Sequence, residues 1–148
     1  MRAAAPMPLI LAAVVLAAAA GCDLLPPPTP DWVTGRTELP SCGAEEVTAG
    51  RPPNTEAREC LLDAWRESRG AEMVSERATV EGDPITTIYR ALPDGTMEMF
   101  VDMTRDRFGS GEWARLSCAG LHPVRDEDGI DAAWVFVEDG CGDAAPGG

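Results

Sequence analysis

The chain carries 25 acidic against 12 basic residues over 148 positions, a formal net charge of −13 at pH 7. Phosphates repel such a surface, which excludes nucleic acid and an electrostatic grip on anionic lipid headgroups. All 12 basic residues are arginine; with 13 prolines and 15 glycines, this composition reflects a GC-rich coding sequence and indicates no function.

The first residues fall into zones. Met1 and Arg2 open the chain with positive charge, Leu9 to Ala20 is uncharged and apolar, and Ala19-Ala20-Gly21-Cys22 follows with small residues and a cysteine. A positive start, an apolar stretch of about 7–15 residues and a small-residue cleavage site describe a secretory signal peptide. The run is too short for a membrane span, which takes about 20 residues, and no later segment approaches that length. The ending A-A-G-C resembles the lipobox of bacterial lipoproteins, whose cysteine is lipidated and becomes the first residue of the mature chain. The leucine usual three places before that cysteine is Ala19 here. Ordinary signal peptidase cleavage after Ala18-Ala19-Ala20 is the alternative. Cysteine parity favours lipidation. With lipid on Cys22, the four others (Cys42, Cys60, Cys118 and Cys141) are free to pair, whereas ordinary cleavage leaves an exported protein with an odd thiol.

Export places those four cysteines in an oxidising compartment, where disulfides persist. Of the three possible pairings, Cys42–Cys60 and Cys118–Cys141 each close a short local segment and are the expected ones. Loops of about 20 residues are worth roughly 3 kcal/mol each in the chain-entropy model. No C-x-x-C or Cys/His cluster exists and the only histidine is His122, so the spacing offers no zinc site, and no cofactor is expected. Removing residues 1–21 takes away Arg2 and moves the charge from −13 to −14, so the domain is expected to stand off the bilayer.

Four segments follow: signal peptide 1–21, lipid anchor and proline-rich tether 22–40, one domain 41–142 and a disordered tail 143–148. Leu24 to Pro30 favours extended polyproline II, a spacer rising about 3.1 Å per residue. Asn54 reads as an N-cap, with Glu56 and Glu59 near the positive end of the dipole. Ala57, Cys60, Leu61, Ala64 and Trp65 then form one apolar face, predicting a helix over Thr55–Arg69 with Gly70 just past it. Beyond Gly70 the pattern turns to strands over Glu72–Val80, Ile85–Leu92, Met97–Thr104, Trp113–Cys118 and Ala132–Glu138. Pro93-Asp94-Gly95-Thr96 makes a hairpin turn, and Asp126 to Asp131 a solvated acidic hairpin tip that lacks the order of a calcium loop. The expected fold is α+β, one main helix packed on a four- to five-stranded antiparallel sheet with two disulfides.

Two polar clusters remain, Thr79 to Ile85 (T-V-E-G-D-P-I) and Asp102 to Gly109 (D-M-T-R-D-R-F-G). With Cys118 and Cys141 behind them, this order resembles an uncharacterised family of small secreted bacterial lipoproteins sharing an E-G-D-P-I turn, a D-x-T-x-D-x-F segment and two C-terminal cysteines. The resemblance covers about Met73 to Cys141 and implies exported, lipid-anchored proteins of unknown activity. Glu81, Asp83, Asp102 and Asp106 are candidate Ca²⁺ ligands if the two segments converge; pairing of these acids with Arg105 and Arg107 is the competing reading. A carboxylate-dependent envelope hydrolase is the enzymatic alternative. Gly109-Ser110-Gly111 is not a nucleophile elbow, and His122 before Pro123 in a loop has no nucleophile to serve, so no catalytic residue is assigned. Among the tryptophans, Trp65 and Trp134 are expected in the core, leaving Trp32 and Trp113 as aromatic candidates for a binding surface. The expectation is a monomeric, lipid-anchored extracytoplasmic module that binds an envelope protein or wall polymer.

Overall fold

Strict alternation of inward and outward residues organises this protein around one sheet. The computed structural model describes residues 27–48, 50–125 and 134–144, with the backbone alone at 125, 134 and 135. The leader, Cys22, the tether up to Pro26, the Asp126–Asp131 tip and the end of the tail lie outside the described residues, as does the side chain of Trp134.

The elements run α1 (Asp31–Thr34), β1 (Ser41–Val47), α2 (Thr55–Arg66), β2 (Ala71–Ala78), β3 (Pro84–Ala91), β4 (Met97–Asp102), β5 (Trp113–Cys118), β6 (Gly120–Arg125), β7 (Trp134–Asp139) and β8 (Gly142–Asp143). Six strands form one sheet in the order β1-β2-β3-β4-β5-β8, while β6 and β7 pair as a separate hairpin. The fold is α+β, as expected, but the sheet is larger and mixed. β1 lies parallel to β2, with Glu45 opposite Ser75. A parallel neighbour needs a crossover of a dozen or more residues, which the α2 segment supplies.

One sheet face carries Ala71, Met73, Tyr89, Ala91, Met97, Met99 and Cys118, and α2 covers it with Ala57, Leu61 and Ala64. Leu121 and Phe136 of the β6–β7 hairpin complete this cluster. Asn54 caps α2 by accepting from Ala57 N at 3.2 Å. The helix stops at Arg66 and not Arg69, in a Schellman turn: Ser68 N–H donates to Trp65 O at 3.0 Å and Arg69 N–H to Ala64 O at 2.8 Å. Ser68 takes the left-handed position at φ 51° that Gly70 was expected to hold. Gly70 instead lies under Leu39, whose Cδ2 is 2.9 Å from where a Cβ would stand.

The buried stripe of α2 is rotated from the expected one, because Arg58 and Leu62 are buried and Cys60 is exposed. Arg58, 1% exposed, reaches Glu45 with Nε at 2.8 Å from Oε2 and Nη2 at 2.8 Å from Oε1. Ser75 Oγ and Asn54 N–H donate to the same carboxylate at 2.7 and 3.0 Å. Burial alone would raise the Glu45 carboxyl, but the hydrogen bonds from Arg58 and Ser75, the Arg58 charge and the Asn54 N–H outweigh it and hold the group below its ordinary value. Both expected disulfides are present, Cys42–Cys60 and Cys118–Cys141.

The remaining differences concern segments read as irregular. Residues 31–39, assigned to the tether, dock on the second sheet face, where Val33 is 4% exposed. Gly142 and Asp143, assigned to the domain edge and the disordered tail, pair with Ser117 and Leu116. His122, read as a loop residue, lies in β6 opposite Val137.

Ser68→Gly, which relieves the left-handed strain, is expected to raise the unfolding free energy by about 0.5–1 kcal/mol in urea titration. Glu45→Gln is expected to cost about 3 kcal/mol at neutral pH by removing the carboxylate charge that the buried Arg58 guanidinium faces. A depressed carboxyl stabilises the fold above its unfolded value, here near 4.5, and that contribution fades as pH falls through the folded value. Urea midpoints against pH should therefore fall on acidification in the native chain and less so in Glu45→Gln.

Candidate functional site

The second sheet face is built in cross-strand rungs. Pairing aligns Glu72 with Arg90 and Arg90 with Glu98, then Val74, Ile88, Phe100 and Arg115, then Glu76, Thr86, Asp102 and Trp113. Because side chains alternate, all of these project away from α2. Over them runs a strap, residues 31–39. Trp32 packs edge-on against Phe100 at 5.2 Å and Trp113 at 6.3 Å, and Val33 joins Ile88 and Phe100. Further along, Arg36 grips Glu72 with Nε at 3.1 Å and Nη2 at 2.8 Å, and Leu39 ends on Gly70. The strap thus runs from the Trp113 end of the sheet to the end formed by Gly70 and the 92–96 turn.

At the latter end, charges alternate across four elements. Arg90 donates to Glu98 through Nη1 and to Thr37 O through Nη2 at 2.6 Å. Its Nε lies 3.4 Å from Glu72 Oε2, an ion-pair distance without hydrogen-bond geometry. Arg115 donates to Glu98 Oε1 through Nε at 2.7 Å. Both guanidiniums stand over the Phe100 ring, 5.3 and 5.7 Å from its centroid. This network floors a recess of about 460 Å³ lined by Thr37, Leu39, Arg90, Leu92, Pro93, Asp94, Glu98 and Arg115. Its size suits a small ligand, with apolar walls and a few charged groups to orient one. Arg115, 30% exposed, is its accessible cation, while Arg90 is buried beneath.

The opposite end holds the two polar motifs. Asp83, 8% exposed, accepts from Arg107 Nε at 2.9 Å and from Arg107 N–H at 3.2 Å. The Arg107 guanidinium holds the Asp83 carboxyl below its ordinary range. Arg105 donates to Glu76 at 2.9 Å. Asp102 Oδ1 accepts from Thr104 N–H and Oγ1, and Asp106 Oδ1 from Phe108 N–H. The motifs do meet, but through an arginine bracket. Glu81 points to solvent, and the four acids are each engaged locally or exposed; among the described residues no group of three or more His, Cys, Asp or Glu could hold a metal ion.

Trp32 and Trp113 sit together, half-buried, as strap contacts and not as an open platform. Trp65 is half-buried, donating from Nε1 to Gly95 O at 2.9 Å. His122 Nε2 lies 3.6 Å from Asp139 Oδ2 at the surface. Sequence alone does not single out Arg90, Glu98 and Arg115; their signal is opposite charge at positions directly opposite (Arg90 and Glu98) or diagonal (Glu98 and Arg115) across neighbouring strands, invisible until the register is known. No helix among the described residues is long and apolar enough to cross a membrane. Comparison with family models, curated proteins and solved structures finds no match to this chain, so the functional reading rests on its own residues.

Millimolar Ca²⁺ is expected to leave the melting temperature unchanged, since a bound ion would raise it by mass action. Asp83→Asn is expected to speed amide exchange over 103–112 with no change in that insensitivity. A calcium-dependent rise in the native chain would restore the acids as ligands.

Proposed function

We propose that this protein is a lipid-anchored extracytoplasmic module of the cell envelope, held to the membrane through Cys22 and acting by binding and not by turnover. One observation carries the reading: the two disulfides consume Cys42, Cys60, Cys118 and Cys141, so the odd cysteine is the one that closes the A-A-G-C sequence. Disulfides at both edges of a small domain suit an oxidising compartment. The recess beside Arg115 is the binding site in this reading, and its ligand is an envelope protein segment or wall polymer small enough at the point of contact to enter about 460 Å³. Asp102 and Asp106, two of the candidate carboxylates, are taken up by local turns, which favours binding over carboxylate-dependent hydrolysis.

Cys22→Ser is expected to move the protein from the membrane pellet to the soluble fraction, because stable attachment takes two or more acyl chains. Retention of the variant in the pellet would remove the anchor from the reading.

A further inference from the structure

The end of the sheet where the strap begins carries two structured loop tips with apolar side chains held out in water. Val80 is 100% exposed and Phe108 is 75% exposed. Neither tip is loose. In the first, Thr79 N–H donates to Asp83 O at 2.8 Å, Gly82 N–H to Thr79 O at 3.0 Å, and Gly82 holds φ 86°. In the second, Met103 N–H donates to Glu112 O at 3.2 Å and Phe108 N–H to Asp106 Oδ1 at 3.0 Å. A side chain at Gly109 would meet the Asp106 carboxylate at 2.5 Å, so the turn that projects Phe108 is closely fitted. Arg107 joins the two loops, bonded to Asp83 and standing 5.9 Å from the Phe108 ring centroid. Two hydrogen-bonded loops joined through the Arg107–Asp83 pair thus present a valine and a phenylalanine to water at the same end of the sheet.

The course of the chain says what meets them. The strap arrives over Trp113, at this end, and leaves at the other by Leu39. Nine residue steps separate Cys22 from Asp31, so even a fully extended tether reaches about 32 Å. An anchor on Cys22 joins the domain at the Val80–Phe108 end, so that end is the one the tether draws toward the membrane, with the recess beside Arg115 at the far end of the sheet. We infer that Val80 and Phe108 form a second, peripheral contact with the bilayer surface, dipping into the interface of zwitterionic lipid and fixing the orientation of the anchored domain. This rests on the anchoring proposed above.

The lipid class follows from charge. Loops 79–83 and 103–112 carry Glu81, Asp83, Asp106 and Glu112 against Arg105 and Arg107, so anionic headgroups gain nothing from them. The contact is apolar, with Arg107, 67% exposed, placed to reach a phosphate. Two side chains do not hold a protein on a membrane, but a tethered pair acts at the high effective concentration its short linker sets. Net charge holds the bulk of the domain off the bilayer, and the proposed contact is confined to these two loop tips.

The test uses the lipidated full chain reconstituted into phosphatidylcholine vesicles with brominated acyl chains, read by tryptophan quenching. In F108W and V80W the emission added over the native chain should be mostly lost against brominated lipid. In E67W, at the opposite end of the domain, the added emission should survive. Equal survival in all three variants with the protein still in the vesicle pellet would overturn the contact and leave the anchor standing. A native chain that fails to pellet with vesicles would overturn both.

Discussion

A sheet with bulky side chains on both faces has to be covered twice, and among the described residues this chain has one helix long enough to cover a single face. α2 and the β6–β7 hairpin close the side bearing Met73, Met97 and Met99. The other side bears Ile88 and Phe100, and exposing them would forfeit about 1.5–3 kcal/mol per side chain. The strap answers that demand with few residues: Trp32 and Val33 cover the apolar rung, and Arg36 closes the charged one. From this constraint the rest of the second face follows, including which end receives the incoming chain and which end is left with a recess.

The charged rung is the part of that cover which cannot be thinned. Glu98 accepts from both Arg90 and Arg115, and Arg90 in turn donates to the strap at Thr37 O. Opposite charges directly across neighbouring strands favour one register, and a slip of one residue would turn every member to the α2 face. Such a buried set contributes less net stability than its Coulomb energy suggests, because desolvation offsets the attraction. Removing one member is another matter, since the partner is then left charged and buried. The network therefore acts as a specifier: it lets the strap seat in one place, with Thr37 at Arg90 and Arg36 at Glu72.

What the sequence made legible was local. Asn54 as a cap, the turn at Pro93-Asp94-Gly95-Thr96, the alternation of Met97, Met99 and Val101 and both disulfides depend on residues close along the chain, and all are found. What stayed hidden depended on distant partners. β1 reads S-C-G-A-E-E-V, with no apolar alternation, because its inward residue is Glu45, satisfied by Arg58 thirteen residues on. β6 contains Pro123, a residue that argues against a central strand but is tolerated in a two-stranded hairpin. The strap was masked by its proline-rich flank, and Trp32 gains its meaning only from Phe100 and Trp113. Of the candidate site, the pairing of Asp83 with Arg107 was foreseeable from the motif; the Arg90–Glu98–Arg115 cluster needed the register.

The disulfides lie where backbone pairing is thinnest. Cys42 sits at the break in register between Ser41 and Ala44, where β1 joins β2 imperfectly, and its bond ties that strand to α2. Cys141 precedes β8, a strand of two residues, and its bond ties the segment to Cys118 at the end of β5. These are the two edges of the sheet, the positions where an unpaired strand invites another chain. Glu45, aimed inward from β1, protects one edge by making any slipped pairing bury a charge; the brevity of β8 limits the other. Reduction would loosen both edges at once while leaving the central strands paired. The integrity of the sheet margins is thereby coupled to the redox state of the surroundings, and that coupling is the physical link between these bonds and the extracytoplasmic location proposed above.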